Sequence, residues 1–579
     1  MTRRTPPAIP AGDPPEEPAA AGDLAVPPRM PARRLDTRDL PAEAAAPPAP
    51  ARHPTARRLA GATALVGGAF IISRLLGLFR DQVIAAHFGT SDALDTYIAA
   101  FRVPDTLFLL IIGGAVGSAF IPVFSGLLEQ QKTAAAWRLT STMINASVVL
   151  LSLGGIVLGL LAPWLVALII APGWAPEKQA ATVELTRIML LSPLFLGLGG
   201  WAQGILNARH SFTLPALAPI AYNGAIIAGA LFLTPLWGVR GLALGVVIGA
   251  ALHFLVQLPG LVRAGMQYRP FHLDIHDEGA GQVGRLMGPR IVGQAAFQAN
   301  IVVVTSLASF LPEGQLSAFN YAYLLMMLPY GVFAMSLATV LFPTMTAQVA
   351  RGDLDAMRTT LGGGLRTLVF LTLPSAVILG LLRYQIVGLL FQFGAFHQGS
   401  TELVAAALGW FAWGLLSYSV VELLTRAFYA LHDTRTPVIV SITTVALNMG
   451  LSWALAIGLH MQHTGLALSL AATTTVELAG LLFFLRRKLQ GVFDRAALRA
   501  FGVSLLGAAL MAAVLWPLVP FLATNIWAYP GDTAGQKVAT ALVLGIGCLV
   551  GGGIYLAVAR VFHAAELGQA LRMLRRRAS

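Results

Sequence analysis

Two arginines six residues apart, Arg74 and Arg80, interrupt the first long apolar run of this chain, with Ser73 and Asp81 beside them. An arginine near the middle of a membrane helix costs about 2.5 to 3.5 kcal/mol on insertion scales, so it faces a protein interior or a wet cavity. Arg74 stands about 22 Å along the helix from Leu59 at 1.5 Å per residue, deep enough to need such a cavity. A guanidinium keeps its charge and donates a planar fork of hydrogen bonds that fits phosphate oxygens. The chemistry these residues point to is the acceptance of an anion along a membrane path. Simpler roles are open to each: Arg74 can form a salt bridge to another helix, and Arg80 can snorkel to the interface or pair with Asp81 or Asp95. Glu422 and Arg426, four apart on one helical face, can neutralise each other.

Catalysis is not expected. No glycine-lysine P-loop pattern is present, which argues against ATP hydrolysis by this chain. No pair of histidines has the spacing of a metal site, and neither a metal nor another cofactor is predicted. The single cysteine, Cys548, excludes an intrachain disulfide framework.

The elements that must position the arginines are membrane helices. Hydrophobic residues make up 56% of the chain and charged residues 11%, with a mean hydropathy of +0.71, a balance no ordinary soluble domain has. Apolar stretches of roughly 20 residues recur along the sequence, the length that crosses a hydrocarbon core about 30 Å thick. With little sequence between them, these segments must bury their polar groups against one another, which predicts an all-α polytopic bundle. We expect about fourteen spans. Six, near 59–80, 93–127, 139–170, 187–207, 215–235 and 241–264, fall in a first lobe, 59–265. Six more, near 287–311, 317–349, 361–390, 402–430, 437–459 and 464–486, fall in a second lobe, 266–487. The last two, near 500–523 and 538–562, lie in 488–579, which ends in a basic segment. Residues 1–58, rich in proline, alanine and arginine, read as a disordered tail and not as a secretory signal.

Basic residues fix the expected orientation. Loops after even-numbered spans carry Lys132, Arg209, Arg263, Arg351, Arg435 and the Arg486-Arg487-Lys488 run, whereas those after odd-numbered spans are poor in lysine and arginine. The positive-inside rule then places both termini in the cytoplasm. The net charge of +12 is accounted for by this topology and by attraction to anionic membrane lipids, with no nucleic-acid partner expected.

The chain also repeats itself. Leu206 to Pro215 and Phe428 to Pro437 share Ala208/Ala430, His210/His432 and Pro215/Pro437 at one offset; Gly241 to Leu244 and Gly465 to Leu468 follow at nearly the same offset. Six spans fit each period, so the halves enter from the same side as parallel repeats around a central path suited to alternating access.

The block Ser73-Arg-Leu-Leu-Gly-Leu-Phe-Arg-Asp81, followed by His87-Phe-Gly89, Asp95, Arg102-Val-Pro104 and Ala119-Phe-Ile-Pro122, resembles the start of the MurJ (MviN) lipid II flippases. Met287-Gly-Pro289, Asn320-Tyr-Ala322, Phe391-Gln-Phe-Gly394 and Asp433-Thr-Arg-Thr-Pro437 extend the resemblance over roughly residues 60 to 490. It implies the multidrug/oligosaccharidyl-lipid/polysaccharide exporter fold, two lobes and a final helix pair lining a groove for a polyprenyl tail. It implies lipid II as substrate, an undecaprenyl-pyrophosphate-linked disaccharide-pentapeptide moved outward across the bacterial cytoplasmic membrane, with the protein acting as a monomer. Arg74, Arg80 and Arg102 match basic positions of the family and become candidate ligands of the pyrophosphate, although Arg102 can equally be a boundary anchor. Ser73, Asp81, Asp95, Arg290, Gln294, Gln298 and Asn300 are candidates for supporting or gating roles; Arg290 reads equally as an interface anchor.

The sequence departs from the family pattern inside the expected cavity. Phe108 and Leu109 stand where many members carry an arginine pair, Gly113 replaces a glutamate, and Tyr321-Ala-Tyr323 runs into Leu324 where a basic residue is common. Either the head group is gripped by the retained arginines with polar help, or the substrate differs. An exporter of another undecaprenyl-linked glycan and a transport-inactive scaffold for cell-wall proteins are the alternative readings.

Overall fold

Long apolar runs broken by short polar or glycine-containing turns fold as the hydropathy requires, into helices. A computed structural model describes residues 56–113, 119–274, 278–489, 491, 495–526, 531, 533–564 and 566–568, and no strand occurs among them. Helices α1 (Ala56–Phe88), α2 (Asp92–Ile111), α3 (Ile121–Glu129) and α4 (Thr133–Leu165) open the bundle. α5 (Pro176–Met189) and α6 (Ser192–Ala208) form one bent span, and α7 (Thr213–Ala228), α8 (Thr234–Trp237), α9 (Val239–Leu255) and α10 (Leu258–Arg263) follow. The next stretch holds α11 (Glu278–Ala308), α12 (Gln315–Pro329), α13 (Ser336–Ala350), α14 (Leu354–Leu381) and α15 (Arg383–Phe391). The chain continues through α16 (Gln398–Ala430), α17 (Arg435–Trp453), α18 (Gln462–Leu489), α19 (Arg495–Asn525) and α20 (Ala534–Val561).

Among the described residues, eleven helical segments are long and apolar enough to cross a membrane. The expected count of fourteen is not reached. The segments expected as the first, second and seventh spans coincide with α1, α2 with α3, and α11: several side chains of α1 and α11, and residues 114–118 between α2 and α3, lie outside what the structure describes. The tail 1–58 also lies outside them, save for 56–58, which belong to α1: its alanine and arginine residues favour helix and extend the span backward.

Local chemistry sets the helix ends. Ser91 caps α2 through the Leu94 amide, with Asp92 and Asp95 in the first turn where the helix dipole favours negative charge. Thr533 and Gln536 form a reciprocal capping box at the start of α20. Between α16 and α17, Asp433 accepts hydrogen bonds from the Thr436 amide (3.0 Å) and hydroxyl (2.6 Å) and pairs with Lys488 of α18. Burial alone would push the Asp433 carboxyl up, but hydrogen bonds from Lys488 and Thr436 outweigh it and hold it down at about 2. A depressed carboxylate stabilises the fold above its unfolded pKa of about 3.9, and that contribution is lost as pH falls towards 2. Asp433→Asn is therefore expected to flatten the pH dependence of thermal unfolding between about 4 and 2; an unchanged slope would remove Asp433 from the acid response.

Packing divides into three apolar clusters. One holds the Phe120, Phe124, Trp137 and Trp201 rings and extends to Phe319, Phe391, Phe396 and Phe411; a second joins α13, α14, α16 and α18. The third docks α19 and α20 on α14. Tyr555 donates to the Phe370 carbonyl at 2.9 Å, and Lys537 donates to the carbonyls of Gly388 and Gln392, so α20 is pinned to α14 and to the C-terminal end of α15 at two points along its length.

Among the described residues, four complete π-helical turns interrupt the spans: Val166–Ile170, Gly229–Leu233, Tyr330–Met335 and Ala454–Gly458. Such turns concentrate at functional sites. Those at Gly229–Leu233 and Ala454–Gly458 occupy matching places in the internal repeat, each faced closely by a glycine of the next helix, Gly241 and Gly465. His210 and His432, also matched by the repeat, both take left-handed backbone with φ of 56° and 58°.

Candidate functional site

Arg74 and Arg80 leave α1 in different directions, because six residues at 100° each turn the helix by about 240°. Arg74 is exposed and lies over the backbone of the turn Tyr330–Met335, where a Cβ on Gly331 would sit 3.0 Å from its Nη1. Arg80 is engaged about 120° away around the helix. Its Nε and Nη2 donate to Asp81 Oδ1 at 3.0 and 2.8 Å, and its Nη1 donates to Asn223 Oδ1 of α7 at 3.0 Å. The pairing with Asp81 that the sequence left open is thus present. Ser73 is partly buried beside Arg74.

Arg102 reaches from α2 across to α11 and α12, donating to Thr305 Oγ1 at 2.9 Å and Asn320 Oδ1 at 3.0 Å. It borders a cavity of about 450 Å³ shared with Asn300, Asn320, Tyr418, Asn448 and Glu477. The Asn300 Oδ1 and Asn448 Nδ2 atoms are buried without a hydrogen-bond partner. Gln298 Nε2 donates to Thr106 Oγ1 at 3.3 Å, joining α11 to α2. Gln294 is partly buried on α11; the side chain of Arg290 lies outside the described residues. The three candidate arginines therefore do not converge on one point. Arg80 is held towards α7, while Arg74 and Arg102 meet elements of the second half of the chain.

Asp95 has a different surrounding. Its carboxylate is 2% exposed as a residue and accepts hydrogen bonds from the backbone amides of Gly314 (2.9 Å) and Ser317 (2.8 Å), with Lys178 Nζ at 3.8 Å. A buried carboxylate receiving the free amides at the start of α12 acts as that helix's cap, supplied from α2. Around it the ends of several spans close together. The Ala395 amide donates to the Ala86 carbonyl at 2.8 Å, Thr90 and Ser400 hydroxyls meet at 2.7 Å, and the Asp92 amide donates to Glu313 at 3.1 Å. Gly89 and Gly394 both have left-handed backbone, and a Cβ on either would collide with the carbonyl of Ala395 or Ala86 respectively, so only glycine admits this approach. A disulfide between Thr90→Cys and Ser400→Cys is expected to form readily in this conformation and to stop transport until reduced. Cross-linking with undiminished transport would show that these ends need not part.

Sequence reasoning passed over Glu477, an ionisable residue inside a span and so a signal in itself; Ser441 donates to it at 2.5 Å. It also missed Tyr330, whose hydroxyl donates to Glu422 at 3.0 Å in the same cluster as the Arg426–Glu422 pair at 2.9 Å. Among the described residues, no group of three histidine, cysteine or acidic side chains is placed to hold a metal ion.

A multi-pass helical bundle with guanidinium groups within its spans, closed where several span ends meet, has the architecture of a membrane transporter. A solved structure titled as an inward-facing multidrug resistance MATE family transporter of the MOP superfamily shares the fold, with a TM-score of 0.60 at 15% identity over 72% of this chain and 94% of its own. The chain belongs to the lipid II flippase MurJ family, whose model matches residues 84–531. Over 83% of its length it is 34% identical to the lipid II flippase MurJ of Burkholderia cenocepacia, covering 94% of that protein. It also superposes on a lipid II flippase MurJ described as inward closed, with a TM-score of 0.71 and 26% identity over 86% of this chain and 98% of that one. Arg74 and Arg80 lie upstream of the residues that the family model matches.

Proposed function

We propose that this chain carries lipid II from the inner to the outer leaflet of the bacterial cytoplasmic membrane by alternating access, supplying cell-wall synthesis without a catalytic step of its own. The observation that carries the reading is Arg74: a phosphate-matching fork set deep in a span, against a π-helical turn of the other half, in a bundle sealed where α1 meets α2. A diphosphate crossing the bilayer needs cationic partners that stay charged. Arg74 takes the pyrophosphate first. Arg80 and Arg102 exchange their present partners, Asp81 with Asn223 and Thr305 with Asn320, for phosphate oxygens as the halves rock. Ser73, Gln294, Gln298 and Asn300 line or border this route, Asp81 and Asp95 hold the resting arrangement, and a supporting role is kept for Arg290, whose side chain lies outside the described residues.

The two halves, 59–265 and 266–487, act as parallel lobes, a reading supported by the matched left-handed histidines and the matched π-helical turns. Residues 488–579 ride on the second lobe. Both termini are cytoplasmic on the distribution of basic loops, which makes the sealed end the outer one. The protein works as a monomer among anionic lipids.

The test is lipid II exposure on the outer leaflet of cells in which this chain is the only flippase. Exposure and growth are the expected result. A correctly inserted chain that exposes no lipid II would overturn the proposal in favour of another undecaprenyl-linked glycan or a scaffold.

A further inference from the structure

The outward face of α4 carries a feature that transport through the bundle does not use. Two recesses, of about 420 and 470 Å³, lie between α4 and the α5–α6 span and meet at one residue, Arg187. Its Nε donates to the Gly159 carbonyl at 3.0 Å, and the side chain is otherwise exposed. Among the described residues no carboxylate lies within ion-pair distance of it; Glu184, one turn away, is taken by Arg240 at 2.8 Å. The groove floor contains Gly155 and Gly159, and close packing does not demand either glycine: a Cβ there would find its nearest neighbours at 3.6 Å, an ordinary contact. By contrast, a Cβ on Gly154 of the same helix would meet Leu107 at 2.9 Å. The two groove glycines keep a channel open.

We propose that this groove binds one anionic phospholipid, its phosphate on Arg187 and an acyl chain along Gly155 and Gly159. Three observations fix that occupant. The surface belongs to membrane spans whose neighbouring side chains, Leu153, Ile156 and Leu160, are 58%, 61% and 66% exposed, so lipid covers it. Trp164 is 62% exposed one turn beyond Gly159, and an exposed tryptophan at a span end marks the headgroup level. The groove runs from Pro163 to Leu151, about 18 Å of helix, comparable with one leaflet of a core about 30 Å thick. The phosphate therefore sits just below the interface and the chain reaches towards the midplane. This is the leaflet at the sealed end of the spans, outer if the termini are cytoplasmic.

The experiment is native mass spectrometry of the full chain with phosphatidylglycerol and phosphatidylcholine of matched acyl chains. One retained lipid with preference for phosphatidylglycerol is expected. Arg187→Gln should reduce that preference about fivefold, the effect of one basic residue at an anionic lipid surface. Arg187→Lys should keep most of it, and Gly155→Leu should lower retention of both lipids by filling the channel. Arg209→Gln, at the far end of the α5–α6 span, should change nothing. An unaltered preference in Arg187→Gln would overturn the proposal, as would a dimer that the same substitution dissolves. Thermal unfolding without added lipid checks that each variant is folded.

Discussion

Replacing Arg74 by alanine is expected to abolish outer-leaflet exposure of lipid II while leaving the protein in the membrane. Two charge-assisted hydrogen bonds to a phosphate contribute about 3 kcal/mol or more together, so their loss lowers the rate of head-group passage by at least about a hundredfold. Insertion should survive, because removing a charge from a span lowers its insertion cost. Arg74→Lys separates charge from geometry. A lysine keeps the positive charge but not the fork, so partial transport is expected, well below the native level. The assay compares lipid II exposure in cells relying on each variant, with membrane abundance measured in parallel. Normal exposure with Arg74→Ala would assign this arginine to holding α1 against the turn Tyr330–Met335, and the pyrophosphate would need another partner.

The second large effect is expected at Asp95. Asparagine in its place retains an acceptor for one of the two amides at the start of α12, but presents an NH₂ group to the other and loses the attraction of Lys178. A hydrogen bond to a charged group contributes about 1.5 to 3 kcal/mol, and a buried amide left without an acceptor adds to the loss. The sealed end should therefore open more often. A cysteine placed at Ser317 would report this as faster labelling by a membrane-impermeant thiol reagent, in a background where Cys548 is replaced. Since a shift of 1.4 kcal/mol is tenfold in a population, a tenfold or greater rise in labelling is expected for Asp95→Asn. Unchanged labelling would limit Asp95 to stability. Transport should fall as well, because alternating access requires that both ends not be open together.

Much of this was readable in the sequence, for physical reasons that differ by element. Membrane spans announce themselves because the bilayer demands some 20 apolar residues in a row, and α4, α16 and α20 meet that demand without ambiguity. Arg74 was legible for the same reason: a charge in such a run is conspicuous. Arg80 was only half legible. Its neighbour Asp81 is adjacent in sequence, but Asn223 is brought to it by the fold from α7, and no local pattern announces a partner so distant. Asp95 was marked for a supporting or gating role, while its actual partners are backbone amides, which carry no signature in side-chain chemistry. The π-helical turns were invisible for a related cause. One extra residue in a helical turn leaves an apolar run apolar, so hydropathy does not register it, although the paired turns Gly229–Leu233 and Ala454–Gly458 bear on the repeat as directly as the matched motifs do. Glu477 was overlooked in a span whose first half is rich in serine and threonine.

The closed end of the bundle has a consequence for how such a protein can change over time. Its contacts are written largely in main chain: Ala395 to Ala86, Gly89 and Gly394 against each other's neighbours, and the α12 amides on one carboxylate. Main-chain contacts are indifferent to most substitutions around them, provided two glycines and an aspartate stay in place. The cavity, by contrast, is written in side chains. The machinery of closing can then be inherited nearly unaltered while the side chains around the cavity are rewritten residue by residue, so that a change at Asn300, Asn448 or Glu477 alters what the cavity accepts without altering how the end closes.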